Sequence, residues 1–453
     1  MADPTLHDKF PKTITGLKVT VMSYNGNIYD IEHNVTEISI YESIYTPFLY
    51  GEIIVIDNSA MASTFPFVGQ EQVLIEWQRE GKKMKKKFYI TDVFDVKQQL
   101  EGVGSYGLSI TSEKQMRNAI SLFSKAYRGR GDEIIKKVHD EFLKDELEVK
   151  VKAKTSHSVV FPFMKPIQAI DMIRKHVLAE DGTPMFVFES LYTQKPQLNS
   201  LKQMLESKPV LDIKPIKTTN TSVDGRSSTD LEKYRGQVYE ALITRGYDTM
   251  NTLTAGAFGS KATVIDISTK EAALTEFSFK EHAPPIAKDW VTEFFEFDSV
   301  RVYNHYNTRN YIVHENKLSF CDDSGEPQFP NISTLNERDY LAMVSYMARL
   351  NTTNVAIFMN SVPDLEVGKT VTYTHPRFSP KLTQGDDFSE DKVNSGVYLI
   401  GAIRHYIKNL EYTMSLELIR DGVGSEAEFY KNNKPDLGKP PVKRKSILPE
   451  FDS

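Results

Sequence analysis

Gly396–Gly422 reads GVYLIGAIRHYIKNLEYTMSLELIRDG. It divides into two β-strands joined by a short connection near Lys408–Glu411. In the second strand Tyr412, Met414, Leu416 and Leu418 alternate with Thr413, Ser415 and Glu417, the period-2 pattern of a strand with one buried face. The first strand is apolar on both faces through Val397–Ile403, which places it between neighbours rather than at an edge.

An earlier stretch repeats this hairpin. Phe88–Val93 (FYITDV) matches Val397–Ala402 (VYLIGA), and Tyr106–Ile110 (YGLSI) matches Tyr412–Leu416 (YTMSL). Upstream, Ile53–Ser59 (IIVIDNS) matches Val355–Ser361 (VAIFMNS), and Val68–Val73 (VGQEQV) matches Val367–Val371 (VGKTV). The offsets are 302 (Asn58 to Asn360), 299 (Gly69 to Gly368), 309 (Tyr89 to Tyr398) and 306 (Tyr106 to Tyr412). Strands of Val, Ile and Tyr resemble one another by composition, but four matches in one order at nearly constant offset indicate duplication. The expected fold class is therefore β-rich α+β, with two copies of one antiparallel β-domain and other material between them.

Bulk properties bound the rest. The 453 residues leave room for three or four units. Apolar residues at 40% and charged residues at 26% describe a soluble globular protein, and 25 Phe with 22 Tyr suit β-structure and large interfaces. A net charge of −6 argues against a dedicated nucleic-acid binder. Cys321 is the single cysteine, so folding needs no intrachain disulfide. No transmembrane run or signal-peptide core is visible, so synthesis and solubility in a cytoplasm are expected.

Along the chain, Leu17, Val19 and Val21 lead to the hairpin signal Asn25-Gly26. Strands follow over Thr36–Ser43, Gly51–Ile56, Val68–Gln78 and Phe88–Val93, with a helical turn at Ser59–Phe65 and a reverse turn beginning at Glu80-Gly81. Ser112 and Gln115 fit a capping box. Met116, Ile120, Phe123 and Tyr127 then recur at helical spacing, as do Ile134, Ile135, Val138 and Phe142. Pro166 introduces a helix bearing Ile167, Ile170, Ile173 and Val177. Asp181-Gly182 stops it before a buried strand, Met185–Glu189. Residues 206–235 read as a long exposed connection. Gln237–Arg245 and Lys261–Ile267 are expected to open the second β-domain, Phe277–Pro330 to form an insertion, and Asn336 to cap a helix. The loop His375–Ser395 exceeds its first-copy counterpart. Beyond about Tyr430 the chain is rich in proline and charge, suited to binding a partner.

Motifs for chemistry fail on inspection. Gly102-Val103-Gly104-Ser105-Tyr106-Gly107 formally matches G-x-G-x-x-G, yet a strand follows it instead of the helix that phosphate binding requires. His139, His157, His176, His282, His305, His314, His375 and His405 show no metal-ligand spacing. His405 could be a ligand or base, but a strand histidine hydrogen-bonded at a domain surface is the expected role. Glu189, Glu293 and Glu296 are the candidate acids for a glycosidase-like pair, and solvated charge is the expected role for each. The run Lys82, Lys83, Lys85, Lys86 and Lys87 could contact phosphates, although a solvated hairpin end fits it better. The glycosylation patterns at Asn220, Asn331 and Asn351 have no meaning without secretion. No catalytic, cofactor-binding or metal-binding residue is assigned, and no enzyme activity is expected.

The succession of elements resembles the central baseplate hub protein of contractile-tailed bacteriophages, of T-even type. Three patterns carry the likeness: Ser39–Ser59 (SIYESIYTPFLYGEIIVIDNS), the proline-introduced helix followed by Asp181–Glu189 (DGTPMFVFE), and Asp364–Lys369 (DLEVGK) leading to the hairpin ending Ile419–Gly422. They span roughly residues 15–425. The resemblance implies two tail-tube-like β-barrels per chain and a homotrimer, so that three subunits present six similar barrels. Such a ring joins a six-fold tail tube to a three-fold spike. Its channel passes genome and tape-measure protein, with DNA only a transient cargo. On this plan residues 1–112 are the first barrel and 113–205 a small α+β domain. Residues 206–269 hold a linker and the opening strands of the second barrel, 270–350 an insertion and helix, 351–425 the remaining strands and 426–453 an extended tail.

This chain departs from the related bacterial secretion spikes in lacking a fused OB-fold or spike segment, so the spike would be a separate polypeptide. Tail-tube and baseplate wedge proteins are further expected partners, and the virion baseplate the expected location. A tail-associated cell-wall hydrolase and a β-rich surface binding module are the alternatives.

Overall fold

The computed structural model describes residues 13–57, 67–98, 104–215, 237–245, 248–266, 270–282, 296–297, 300–301, 308–315, 337–350, 353–376, 390–391 and 394–420. The expectations for Ser59–Phe65, Asn336, most of the His375–Ser395 loop and the C-terminal tail lie outside these residues.

The first copy contains β1 (Thr15–Met22), β2 (Ile28–Asp30), β3 (Val35–Ser43), β4 (Tyr50–Asp57), β5 (Gln72–Arg79), β6 (Lys82–Gln98) and β7 (Gly104–Thr111). They pair in the order β2-β1-β5-β6-β7-β4-β3. The turns form where the sequence placed them. Gly26 has φ +85° between β1 and β2, and Glu80-Gly81 (φ +48° and +75°) joins β5 to β6. Two consecutive residues with positive φ match the right-handed twist of a hairpin.

Next comes a compact α+β unit. Its elements are α1 (Glu113–Ile120), β8 (Phe123–Arg130), α2 (Gly131–Val138), β9 (Glu148–Val149), β10 (Ser156–Met164), α3 (Pro166–Arg174), β11 (Met185–Glu189), β12 (Pro196–Ser200) and α4 (Leu201–Leu205). A π-turn over His139–Leu143 extends α2. Pro166 occupies the first turn of α3, where its missing N–H costs nothing. The expected helix through Tyr127 is instead cut at Ile120, and Phe123–Arg130 is a strand paired with β10. Phe123 and Tyr127 are both buried while the three residues between them are exposed. Positions i and i+4 share a face in a helix and in a strand alike, so their spacing could not separate the two. The expected capping box at Ser112 is also absent. Ser112 is buried at the end of β7, and its backbone carbonyl, not its hydroxyl, accepts the Gln115 N–H at 3.1 Å.

The second copy opens with β13 (Asp212–Pro215) and β14 (Gln237–Arg245). Helix α5 (Thr249–Thr254), β15 (Gly259–Asp266), β16 (Glu271–Ser278), α6 (Phe279–His282), β17 (Glu296–Phe297), β18 (Val300–Arg301), β19 (Arg309–Glu315) and α7 (Glu337–Leu350) intervene. The copy resumes with β20 (Thr353–Asn360), β21 (Thr370–Tyr373), β22 (Gly396–Lys408) and β23 (Glu411–Arg420). Of the two strands expected to open this domain, β14 joins it and β15 does not. β15 pairs with β16 and β19 in a separate three-stranded sheet. The pairings β21–β13, β13–β14, β14–β20, β20–β23, β23–β22 and β22–β21 form a closed circuit. Asn409 and Leu410 (φ +50° and +65°) make the tight turn of the β22–β23 hairpin.

The duplication is now visible as hydrogen bonding. β4-β7-β6-β5 in the first copy corresponds to β20-β23-β22-β21 in the second, every pair antiparallel. A β-bulge falls between Ile90 and Asp92 opposite β7, and another between Ile400 and Ala402 opposite β23. Just before it the Ile90 N–H bonds to Glu71 O, and the Ile400 N–H to Lys369 O, each at 2.9 Å. Superposing these features equates Ile90 with Ile400, Ile110 with Leu418, Ile53 with Ile357 and Val73 with Val371. The sequence alignment is therefore in the right order but slipped by one residue in β6 and by two in β4 and β7, while in β5 the match of Val73 with Val371 holds. A one-residue slip exchanges faces. Phe88 is the true counterpart of buried Tyr398, whereas Tyr89 is only half-buried.

One core runs through both copies. Val55, Trp77, Phe88 and Leu108 belong to the same buried cluster as Ile357, Tyr398, Leu416 and Leu418. The copies are joined edge to edge: β22 bonds to β21 through residues 396–399, then to β3 through residues 402–408. Leu416 and Leu418 are 1% and 0% exposed. Replacing either with Asp would bury an unpaired carboxylate, so a loss of several kcal/mol is expected. Chemical denaturation should show it as a large drop in midpoint, while Glu411→Asp at the exposed turn should have little effect.

Candidate functional site

Among the described residues no group of three or more His, Cys, Asp or Glu side chains could hold a metal ion, and no helix is long and apolar enough to cross a membrane. The polar chemistry gathers instead where the two copies and the α+β unit meet.

Glu42 lies on β3 in the alternating set Ile38, Ile40, Glu42, Ile44, and all four are buried. Its carboxylate therefore points into the seam with the isoleucines. Glu42 Oε2 accepts the Leu191 N–H at 2.7 Å, and Oε1 accepts the Val367 N–H at 3.3 Å. One side chain of the first copy thus satisfies main-chain donors of the α+β unit and of the second copy. Buried N–H groups need such acceptors.

His405 faces the same carboxylate from β22. Its Nε2 lies 3.5 Å from Glu42 Oε1, close enough for attraction but unsuited to a hydrogen bond. Nδ1 is 2.7 Å from the Tyr412 hydroxyl, which also accepts a 3.3 Å bond from Tyr192 OH. Burial pushes the Tyr412 phenol far above its ordinary range, so it stays protonated beside Nδ1. The Trp77 ring of the first copy packs edge-on against Tyr412 at 5.6 Å. Beside this group Glu366 Oε1 accepts both the N–H (2.8 Å) and the hydroxyl (2.5 Å) of Thr193. His405 is therefore a buried seam residue rather than one at a domain surface.

The other sequence candidates resolve as follows. Glu189 is not a solvated charge. Its side chain is fully buried at the end of β11, in contact with Lys86 on β6 and 2.8 Å from Lys114 on α1. The lysine run is solvated as expected at Lys82, Lys83, Lys85 and Lys87, which are all exposed, yet each of its members is also ion-paired. Lys82 meets Asp364 of the second copy, Lys83 and Lys85 meet Glu76 at 3.7 and 2.9 Å, and Lys87 meets Glu113 at 3.0 Å. With Lys86 on Glu189, the run fastens β6 to both neighbouring units. Glu293, His305 and the side chains of Glu296 and His314 lie outside the described residues.

Gly104 and Gly107 of the glycine motif sit inside β7. A Cβ on Gly107 would come within 2.3 Å of the Phe94 ring, so this glycine makes room for an aromatic, not a phosphate. His139, His157 and His176 are dispersed within the α+β unit, each held below the ordinary imidazole range by burial. His282 Nδ1 bonds within its own turn to Ser278, and His375 Nδ1 bonds to Tyr373 OH. Glu42, Tyr192 and Glu366 escaped the sequence reading. The strand parity that placed Ile38 and Ile40 inside also placed Glu42 inside, and that was the available signal.

No protein-family model matches the chain, and no curated protein matches it. Solved structures do. The tail protein from Neisseria meningitidis MC58 aligns over 90% of this chain and 98% of its own, with TM-score 0.52 at 11% identity. The chain has the fold of that tail protein. The 43 kDa tail protein of prophage MuSo2 from Shewanella oneidensis aligns over 90% of this chain and 100% of its own, with TM-score 0.48 at 10% identity. The E. coli c3393 protein, a component of the type VI secretion system, aligns over 91% and 78%, with TM-score 0.38 at 10% identity. A tail-protein fold agrees with the baseplate-hub resemblance drawn from the sequence.

Two outcomes test the seam. Glu42→Ala strands two buried N–H groups and should lower stability by about 3 kcal/mol, whereas Glu42→Gln keeps an acceptor and should lose clearly less. Denaturant midpoints of the two variants give the comparison. The second outcome concerns acid. The three depressed histidines are neutral in the folded chain, while the unfolded chain takes up protons near the ordinary value of 6.5. Their stabilisation is complete above that pH and falls as pH drops below it towards the folded values. His139→Gln should therefore lose less stability than the natural chain between about pH 7.5 and about pH 5.5.

Proposed function

We propose that the chain is a structural subunit of a phage-type contractile tail, the hub at the centre of its baseplate. Three copies would present six similar β-domains as a ring, matching a six-fold tube on one side and a three-fold spike on the other. The observation that carries this reading is the edge-to-edge joining of two copies of one sheet through β3 and β22. A unit that joins its like in this way within one chain is suited to a ring of such units.

The site chemistry supports a structural role. The buried polar groups bind backbone and lysines of neighbouring units, and Glu189, one of the candidate acids for hydrolysis, is neutralised by Lys86 and Lys114. The tube protein, a separate spike polypeptide, the tape-measure protein and baseplate wedge proteins are the proposed partners. The virion baseplate is the proposed location, and DNA would pass through the ring without being held. The net charge of −6 suits such a passage, since cationic walls retain DNA by counterion release.

The native mass of the purified chain is the direct test. Three times the 51.6 kDa chain mass is expected, with a ring of six peripheral densities in projection. A single-chain mass at every concentration would remove the reading. In an infected host, Leu416→Asp should stop tail assembly while heads still form, and normal infectious particles would contradict the assignment.

A further inference from the structure

Within the chain the join between copies uses half of a long strand. The first half of β22 bonds to its own neighbour β21, and its second half bonds to β3 of the other copy. β6, the counterpart of β22, has the same two halves. Lys82–Tyr89 pair with β5, but beyond Ile90 no described strand lies on that side of Asp92–Gln98. β14, the counterpart of β3, shows the complementary opening. It bonds to β20 on one side, while on the other β13 reaches only Gln237 and Val238. Ala241–Arg245 have no paired strand there among the described residues.

Resting on the ring reading above, we propose that these two edges join neighbouring subunits: Phe94–Gln98 of one copy pairs antiparallel with Ala241–Arg245 of the next. The bulges supply the register. β3 is bulged between Val35 and Glu37 and β14 between Val238 and Glu240, so Ile38 corresponds to Ala241 and Ser39 to Leu242. In β6 a second bulge, between Phe94 and Lys97, holds Asp95 at φ +51°. Carrying the β3–β22 pairs across it equates Tyr406 with Lys97, Ile407 with Gln98 and Arg404 with Phe94. The internal partners Tyr406–Ser39, Ile407–Ile38 and Arg404–Tyr41 then become Lys97–Leu242, Gln98–Ala241 and, across a second bulge of β14 between Ile243 and Arg245, Phe94–Arg245.

Three features fit a second copy of this chain as the occupant. The join continues one already made within the molecule. The two edges are complementary, because each is the counterpart of a strand that pairs with the other's counterpart. Each edge also carries an apolar side chain left in water, Val96 at 61% exposure and Leu242 at 60%. An uncovered edge with apolar residues invites a further strand. The Val93 N–H is held at 2.9 Å by the neighbouring Asp92 carboxylate, a local bond that leaves Phe94–Gln98 available.

Disulfide capture tests the register. In a Cys321→Ser background, Lys97→Cys with Leu242→Cys should oxidise to reducible two- and three-chain species, because directly opposed residues lie within disulfide reach. Lys97→Cys with Ile243→Cys, which moves one thiol to the other face, should give at least tenfold less. Leu242→Asp should leave the unfolding midpoint of the subunit unchanged and shift the native mass from three chains to one. A three-chain mass with no capture at the first pair would overturn the edge pairing and leave the ring standing. A single-chain mass for the natural sequence at every concentration would overturn both.

Discussion

The seam depends on the Glu42 carboxylate being inside. A buried carboxylate is costly unless hydrogen bonds surround it, and here the donors are main-chain N–H groups from two other units. Those N–H groups would themselves be stranded without it. The requirement is reciprocal, so the three units fix one another's positions in a way apolar contact alone would not. Apolar surfaces tolerate sliding; a main-chain N–H and a carboxylate oxygen 2.7 Å apart do not. The neighbouring chain of hydroxyls from Tyr192 through Tyr412 to His405 adds further directional contacts at the same point.

Around that point the molecule is held by ion pairs that cross unit boundaries. Lys82 reaches the second copy, Lys86 and Lys87 reach the α+β unit, and Lys408 meets Glu37 across the β3–β22 join at 2.5 Å. The exposed pairs among these contribute little individually. The Glu189 pairs are different, because that side chain is wholly buried and removal of both lysines would leave its charge without solvent or partner. Lysines at consecutive strand positions point to opposite faces. Lys82 and Lys86 share one face four positions apart, and it is the length of the run that lets it serve two different neighbours.

Much of this architecture was legible in the sequence, and the failures have physical causes. Duplication survived because the order of strands is a property of the whole chain. Register did not, because identity at Tyr89 and Tyr398 reports composition while burial reports the face, and only the bulges fix the face. The helix misread through Phe123 and Tyr127 arose where two periodicities coincide. The hairpin turns at Asn25-Gly26 and Glu80-Gly81 were read correctly because positive φ is a local demand on a few residues. Glu42 and Glu189 were hidden by a rule of averages. Carboxylates are usually outside; parity with Ile38 and Ile40 speaks for Glu42 inside, and the strand Met185–Glu189, buried on both faces, for Glu189.

The two copies differ in how far apart along the chain their strands lie. β3 to β7 fall within Val35–Thr111, whereas β14 must await β20 and β23, across more than a hundred intervening residues. Contacts between distant segments form late because loop closure must precede them. During synthesis the first copy can gather as soon as Thr111 has emerged, holding its β3 edge open and Glu42 in water. That edge then serves as a template on which β22 is laid down at the end. Until β22 arrives, the same edge is a hazard for misassociation between nascent chains, so the interval between the two halves is where a chain of this design is most vulnerable.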